Sequence, residues 1–228
     1  MKKIALLAAA ALVLALTSSC INVRYNGGKN IRCKGTVEEK TMDLADFQRI
    51  VINGGCDIYL TQGDGFKVSV KANEEVFDHL NYYVDGDVLM LETVDNVNII
   101  ADTYKAYITL PTLKKLTVNG AADADLDGGY SSEEDLSIEV NGAGDMDLTG
   151  LKVPSLTIQV NGAGDIDLND IDVQEVSFSV NGAGDVYVSG KADKAEFNVS
   201  GVGGVDAKDL DCDNIQTHKT GVASIKTK

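Results

Sequence analysis

Carboxylates that recur at nearly constant intervals are the residues of this 228-residue chain with the clearest potential for chemistry. They form two series, with Asp123, Asp145, Asp165 and Asp185 in the first and Asp125, Asp147 and Asp167 in the second. If equivalent residues stack at the ~4.8 Å spacing of paired strands, neighbouring charges repel by only about 1 kcal/mol in water. Carboxylates about 5 Å apart would also suit a retaining glycosidase. The spacing therefore permits a sugar-cleaving site, but exposed side chains that need no ion explain it equally.

The stretch "DADLDGGYSSEE" raises a second possible chemistry, the binding of calcium. Asp123, Asp125, Asp127, Gly128 and Glu134 satisfy the pattern D-x-[DN]-x-[DN]-G-x5-E, in which carboxylate oxygens coordinate the ion. The flanking residues predict strands rather than helices, and the first two aspartates belong to the recurring series. An acidic, solvated insertion without an ion is the alternative, and we predict no other cofactor.

Candidates for catalysis are few. The two histidines, His79 and His218, are far apart in the sequence and have no convincing nucleophile beside them. The chain has no phosphate-binding loop, Cys-x-x-Cys pair or zinc-like cluster, and it has no tryptophan to stack on sugar rings. We therefore predict no catalytic residue, with a polysaccharide-active enzyme as the less favoured alternative.

The elements that must position the aspartates are predicted by the hexapeptide "VNGAGD", which occurs at 140–145, 160–165 and 180–185. Within a copy, as in "LTIQVNGAGDIDL", apolar and polar residues alternate with a period of two, which predicts short strands with one buried face. The hexapeptide recurs every 20 residues, and repetition of a segment of this length predicts that successive copies stack on one another. The predicted fold is all-β: a short, single-stranded parallel β-helix of about 20-residue coils, expected to be right-handed, with an N-terminal β-strand-rich capping region.

Each coil must turn sharply at the Asn-Gly-Ala-Gly corner. The glycines supply backbone conformations that residues with a Cβ avoid, and we expect the small alanine between them to face the crowded interior. Asn tolerates left-handed geometry, and stacked Asn side chains can form an amide ladder. We predict a structural corner ladder whose members are Asn119, Asn141, Asn161, Asn181, Asp145, Asp165 and Asp185.

The N-terminus is typical of a lipoprotein signal peptide over 1–19. Lys2 and Lys3 precede an apolar run that is too short to span a bilayer and ends at "LTSSC". That ending resembles a bacterial lipobox, in which Cys20 receives the lipid; an ordinary cleaved signal is the alternative. We expect residues 20–35 to form a lipid-anchored tether.

The remaining cysteines, Cys33, Cys56 and Cys212, allow at most one disulfide, and the sequence does not choose a pair. The fold therefore does not depend on a framework of disulfides.

Residues 36–117 predict a β-rich part, with a hairpin turn at Asp85-Gly86 and one helical candidate in "NEEVFDHL". Residues 118–228 carry the repeats and continue from that part. The stretches "DFQRIVINGGCDIYLTQGD" and "YITLPTLKKLTVNG", together with the "NGAGD" copies, resemble the family described as "putative auto-transporter adhesin, head GIN domain", made up largely of Gram-negative lipoproteins.

This resemblance runs from about Met42 to the C-terminus. It implies an all-β fold that ends in a β-helix, and it brings no catalytic residues. One departure is Cys56 after Gly55, where the later corners have Gly-Asp.

Charge and resemblance together predict the class of function. The net charge of −15 repels nucleic acid, which we exclude as a partner. We predict a non-enzymatic binding or adhesion module of the cell envelope, lipid-anchored in the outer membrane of a Gram-negative bacterium, that presents a rigid acidic face to a glycan or protein. The alternative is a structural envelope protein that forms homo-oligomers. Whether the domain faces the surface or the periplasm stays open.

Overall fold

The computed structural model describes residues 29–94, 97–126 and 128–228. The predicted signal peptide, Cys20, the first part of the tether and Asp127 lie outside these residues. The described chain is all-β, as predicted, and a short 3-10 helix, η1 (Glu74–His79), lies inside the predicted helical segment. No helix in these ranges is long and apolar enough to cross a membrane.

The strands of the described residues, numbered in chain order, are β1 (Asn30–Arg32), β2 (Val37–Met42), β3 (Arg49–Gly54), β4 (Asp57–Gln62), β5 (Lys67–Asn73), β6 (Leu80–Asp85), β7 (Val88–Thr93), β8 (Asn98–Ile100), β9 (Tyr104–Leu110), β10 (Lys115–Ala121), β11 (Ala124–Leu126), β12 (Tyr130–Ser131), β13 (Leu136–Ala143), β14 (Met146–Thr149), β15 (Leu151–Ala163), β16 (Ile166–Asp211) and β17 (Ile215–Thr227).

The strands of the repeat pair in parallel, each with its equivalent in the neighbouring copy. Val140 lies opposite Val118 on one side and Val160 on the other. The predicted alternation is confirmed, because Ile158 and Val160 are buried while Gln159 between them is exposed. The backbone hydrogen bonds of each copy are therefore made by the copies beside it.

The N-terminal half joins the same open sheet. β3 pairs in parallel with β10, which sets Asn53 opposite Asn119, and β4 pairs in parallel with β11. β6 and β7 form the predicted antiparallel hairpin, with Gly86 in the turn at a φ of 62°. β9 pairs in parallel with β4, β5 pairs antiparallel with β9, and β2 pairs antiparallel with β5. One fifteen-stranded sheet thus carries both halves of the described chain.

Inward side chains form an apolar core along the stacked copies. Phe178 lies opposite Ile158, and its ring centroid is 5.6 Å from that of Phe197. Nearer the N-terminus, the ring centroids of Phe47 and Phe66 are 5.0 Å apart. Complete burial of a large apolar side chain contributes about 1.5–3 kcal/mol. The core, rather than any covalent link, is therefore the main source of stability.

The alanine of the corner lies on the outside, so the expectation that it faces the interior was wrong. Ala143 and Ala163 are exposed, whereas Val140 and Met146 on either side of the corner are buried. The alternation continues through the corner, and the crowded places fall on the glycines. A Cβ added to Gly142 would lie 1.9 Å from a backbone oxygen of the previous copy, which leaves no room for a methyl group there.

Replacing Gly142 with alanine tests this packing. Gly142 has a φ of 155°, and the new Cβ would overlap the carbonyl oxygen of Gly120. We expect the free energy of unfolding in urea to fall by about 2 kcal/mol or more. Gly65→Ala is the matched control, because a Cβ there meets no atom within 4 Å. Equal stability of the two variants would contradict the close contact.

Candidate functional site

Carboxylates line a trough on the face formed by β4, β11, β14 and parts of β16 and β17, where Lys226 lies at one end. Two concavities, of about 370 and about 350 Å³, share Asp165 and Asp167 and therefore form one trough. The aspartates that line it are Asp57, Asp123, Asp125, Asp145, Asp147, Asp165, Asp167, Asp185 and Asp206. Both recurring series of aspartates are thus brought to one surface.

Backbone amides hold the first series in place. The N–H of Asp145 donates to Oδ1 of Asp123 at 3.0 Å, and the N–H of Asp165 donates to Oδ1 of Asp145 at 2.8 Å. The N–H of Asp185 continues the series by donating to Oδ1 of Asp165 at 2.8 Å. Each hydrogen bond orients a carboxylate and offsets part of the repulsion between neighbours.

The second series runs between tyrosines. Asp125 lies opposite Asp147 on one side and Tyr59 on the other. The ring of Tyr59 stacks on that of Tyr107, with centroids 5.0 Å apart and planes at 19°. Tyr187 lines the trough beyond Asp167. Phenol rings therefore flank the carboxylates at both ends, a combination that can pack against a ligand and also hydrogen-bond to it. No sequence pattern pointed to these tyrosines.

Asp57, at the β4 end of the trough, has a raised pKa. Partial burial raises the pKa of Asp57, the charge of Asp123 raises it further, and Lys105 opposes both effects. Lys105 lies opposite Asp57 in β9, and its Nζ donates to the hydroxyl of Tyr59 at 2.8 Å. The shift follows from these neighbours and assigns Asp57 no catalytic step.

A ladder of side-chain amides follows the corner beside the trough. Nδ2 of Asn141 donates to Oδ1 of Asn119 at 3.0 Å, and Nδ2 of Asn161 donates to Asn141 at 3.0 Å. Asn181 donates to Asn161 at 3.2 Å. The four asparagines of the repeat therefore join in one chain of hydrogen bonds.

The ladder also includes Asn53 in β3, a strand that pairs with the first strand of the repeat. Asn119 donates to Oδ1 of Asn53 at 2.9 Å, and Asn53 donates to the carboxylate of Glu92 at 3.3 Å. Within the ladder, a hydrogen bond from Asn141 and a second from Lys115 lower the pKa of Glu139. These hydrogen bonds give the asparagines a structural role in the fold.

The described residues of the calcium pattern lie in different surroundings. Asp123 and Asp125 line the trough, whereas Glu134 lies 3.3 Å from Nζ of Lys114. Asp127 lies outside the described residues. Within the described ranges no three His, Cys, Asp or Glu side chains form a group that could hold a metal ion. Calcium binding stays a prediction.

The two histidines lie in different elements, His79 in η1 and His218 in β17. Neither lines the trough concavities. That neither histidine is catalytic stays a prediction.

A buried cluster joins a thiol to two phenols in the N-terminal half. The hydroxyls of Tyr82 and Tyr104 lie 2.7 Å apart, and that of Tyr82 donates to Sγ of Cys56 at 3.8 Å. Burial raises the pKa of Cys56 to about 12 and raises the pKa of both tyrosines. All three groups are therefore neutral at physiological pH. Cys33, Cys56 and Cys212 are free thiols.

Comparison with known proteins gives one family and a set of related folds. The family model described as "Putative auto-transporter adhesin, head GIN domain" matches residues 46–228. A solved structure from Parabacteroides distasonis, described as a "Putative lipid binding protein", has a TM-score of 0.80 at 24% identity, covering 86% of this chain and 84% of that one. A "putative adhesin" from Bacteroides fragilis has a TM-score of 0.70 at 20% identity, covering 87% and 100%.

At these identities the solved structures establish similarity of fold alone. No curated protein is similar enough to the chain to count as a relative.

Replacing Asn161 with aspartate tests the ladder. The new carboxylate cannot donate to Oδ1 of Asn141, so one hydrogen bond becomes a contact between two acceptors. We expect the free energy of unfolding to fall by about 1–2 kcal/mol at pH 7. Asn214→Asp, at an exposed position in the connection between β16 and β17, is the control with the same change of charge. An equal loss in both variants would show that the ladder contributes nothing beyond net charge.

The buried thiol predicts how stability depends on pH. The pKa of Cys56 is about 12 in the folded chain against an ordinary value of 9.0. Between these values the folded state keeps a proton that the unfolded state releases, so the free energy of unfolding falls as pH rises. We expect urea unfolding between pH 8 and pH 10.5 to show a smaller decline in Cys56→Val than in the unchanged chain, by about 1–2 kcal/mol. A decline in Cys56→Val as large as that of the unchanged chain would contradict the assignment.

Proposed function

The chain belongs to the family described as "Putative auto-transporter adhesin, head GIN domain", and on that basis we propose that it is a non-enzymatic binding or adhesion module of the cell envelope. The observation that carries this proposal is the trough, where carboxylates and tyrosines are repeated along one sheet face. The trough offers many similar contacts in a row, as a surface for an extended ligand would.

The scaffold for this surface is, in our proposal, a short right-handed parallel β-helix. Its support is the register between copies, in which Asn141 lies opposite Asn119 and Asn161, and Asp147 lies opposite Asp125 and Asp167. Because each copy hydrogen-bonds along its length to the next, the spacing between outward side chains is held at about 4.8 Å. A rigid array of this kind binds without a large ordering penalty.

We propose a glycan or a protein as the ligand of the trough. Carboxylates accept hydrogen bonds from hydroxyl or amino groups, and the half-buried rings of Tyr59 and Tyr107 offer a surface for an apolar face of the ligand. The net charge of −15 favours partners that are not anionic and disfavours nucleic acid. One structural neighbour is named for lipid binding, but the charged and phenolic lining of the trough favours a polar ligand.

The proposed location is the outer membrane, through a lipid on Cys20. Its support is the apolar run before "LTSSC" together with the family to which the chain belongs. Anchoring through acyl chains leaves the β-rich part in water, which suits a surface as acidic as this one. In this arrangement the module is held at the envelope while the trough stays accessible.

Changing the trough while leaving the corner hydrogen bonds intact tests the function. Asp147 and Asp167 are exposed trough residues outside the series that backbone amides hold. The full chain and its Asp147→Asn, Asp167→Asn variant are applied to an array of glycans and to surfaces coated with extracellular matrix proteins. For a ligand that the unchanged chain binds saturably, we expect at least a tenfold loss of affinity, or about 1.4 kcal/mol.

The control carries Gln159→Ala and Ser179→Ala, which change outward residues that line neither trough concavity. Retained binding in the trough variant, or an equal loss in the control, would overturn the assignment of the trough. Circular dichroism spectra and melting temperatures show that both variants are folded.

A further inference from the structure

The last strand of the described chain has one paired edge. β17 pairs in parallel with β16 over thirteen consecutive residues, from Ile215 opposite Ala195 to Thr227 opposite Ala207. No other described strand pairs with β17. Its second edge therefore presents a row of backbone N–H and C=O groups, which is a template for another strand.

The inward side chains of β17 show that this edge is not built to carry another copy of the repeat. Thr217 lies opposite Phe197, and Lys219 lies opposite Val199, so polar residues replace buried apolar ones in two inward columns. An apolar copy placed on top would bury the ammonium group of Lys219 without a partner, which is costly. The columns therefore end in groups that suit water or an anionic neighbour.

The charge of this edge is opposite to that of the chain as a whole. Residues 215–228 contain Lys219, Lys226 and Lys228 and no Asp or Glu, although the chain has a net charge of −15. Lys219 is exposed, and the side chain of Lys226 is 61% exposed although its Nζ lies 4.0 Å from Asp206. Two copies of this edge would repel each other, whereas an acidic strand would be attracted.

An apolar pair lies where this edge turns the corner. Val222 is 79% exposed and lies opposite Val202, which is 60% exposed. The equivalent positions in earlier copies hold alanine, as at Ala183. A strand added to β17 would cover part of this apolar surface, which adds a favourable contact to the backbone hydrogen bonds.

We propose that the open edge of β17 binds an extended acidic segment of a partner protein by strand addition. Main-chain hydrogen bonds supply the pairing, and the carboxylates of the segment meet Lys219 and Lys226. Lysines at an edge prevent pairing with other basic edges and leave an acidic partner as the strand that fits. Lys226 also lines one end of the trough, whereas Lys219 lines neither concavity, so weaker binding in Lys219→Glu alone distinguishes this edge from the trough.

A labelled peptide tests the proposal directly. The probe is a ten-residue peptide with Glu at the positions opposite Lys219 and Lys226, Gly at the corner positions opposite Gly221 and Ala223, and Thr elsewhere. It carries a fluorophore at its N-terminus, and its anisotropy is measured against the full chain at low salt. We expect saturable binding that weakens with added salt. Two further peptides carry methyl groups on alternate backbone nitrogens, one on the odd-numbered and one on the even-numbered residues. Only one edge of the peptide pairs with β17, so one of these two peptides should lose binding and the other should keep it.

The variant Lys219→Glu, Lys226→Glu should weaken binding at least tenfold, whereas Lys152→Glu should not. Lys152 is the matched control, since its side chain is 68% exposed and lies beside Asp172 in a different part of the sheet. Absence of saturable binding, or equal binding of both methylated peptides, would overturn strand addition. Sedimentation of the chain alone as a dimer that Lys219→Glu dissociates would also overturn it, by assigning the edge to a second copy.

Discussion

At each corner of the repeat, the backbone of one copy lies directly against the backbone of the copy before it. A Cβ on Gly162 would come within 1.8 Å of the carbonyl oxygen of Gly142, and one on Gly164 within 2.0 Å of that of Gly144. Only glycine satisfies this contact, because any side chain would separate the two backbones. The contact in turn lets parallel pairing continue through the bend, so residues on both sides of the corner stay in register over several copies.

That register explains why two different polar residues form two different kinds of ladder. An Asn side chain both donates and accepts, so identical amides can bond to one another, as Asn161 does to Asn141. A carboxylate only accepts, so an Asp column cannot link to itself and takes the backbone N–H of the next copy instead, as Asp145 does from Asp165. The amide ladder is thus a structural device, while the aspartates face solvent and are available to a ligand.

Much of this arrangement could be predicted from local periodicity. The period of two identified the strands, and the recurring Asn-Gly-Ala-Gly corner identified which residues share a column. The outward position of Ala143 was missed, because the pattern alone did not show that the crowded places belong to the glycines. The stacking of Tyr59 on Tyr107 was also missed, since it depends on β4 pairing with β9 across residues that carry no repeat.

The buried group of Cys56, Tyr82 and Tyr104 was missed for the same reason. Tyr82 comes from β6, Tyr104 from β9 and Cys56 from the connection between β3 and β4, and only the tertiary structure brings them together.

The constant register also has a consequence for how the chain folds. Neighbours in the repeat are separated by about twenty residues, so each new copy closes a short loop onto a strand that is already formed, whereas β3 and β10 must first close a loop of more than sixty. Folding rates fall as the sequence separation of contacts rises, so pairing of the N-terminal half is expected to be the slow step. Once β10 is in place, the later copies can add in order, like a zipper, and the C-terminal strand is then the first to open when the fold loosens.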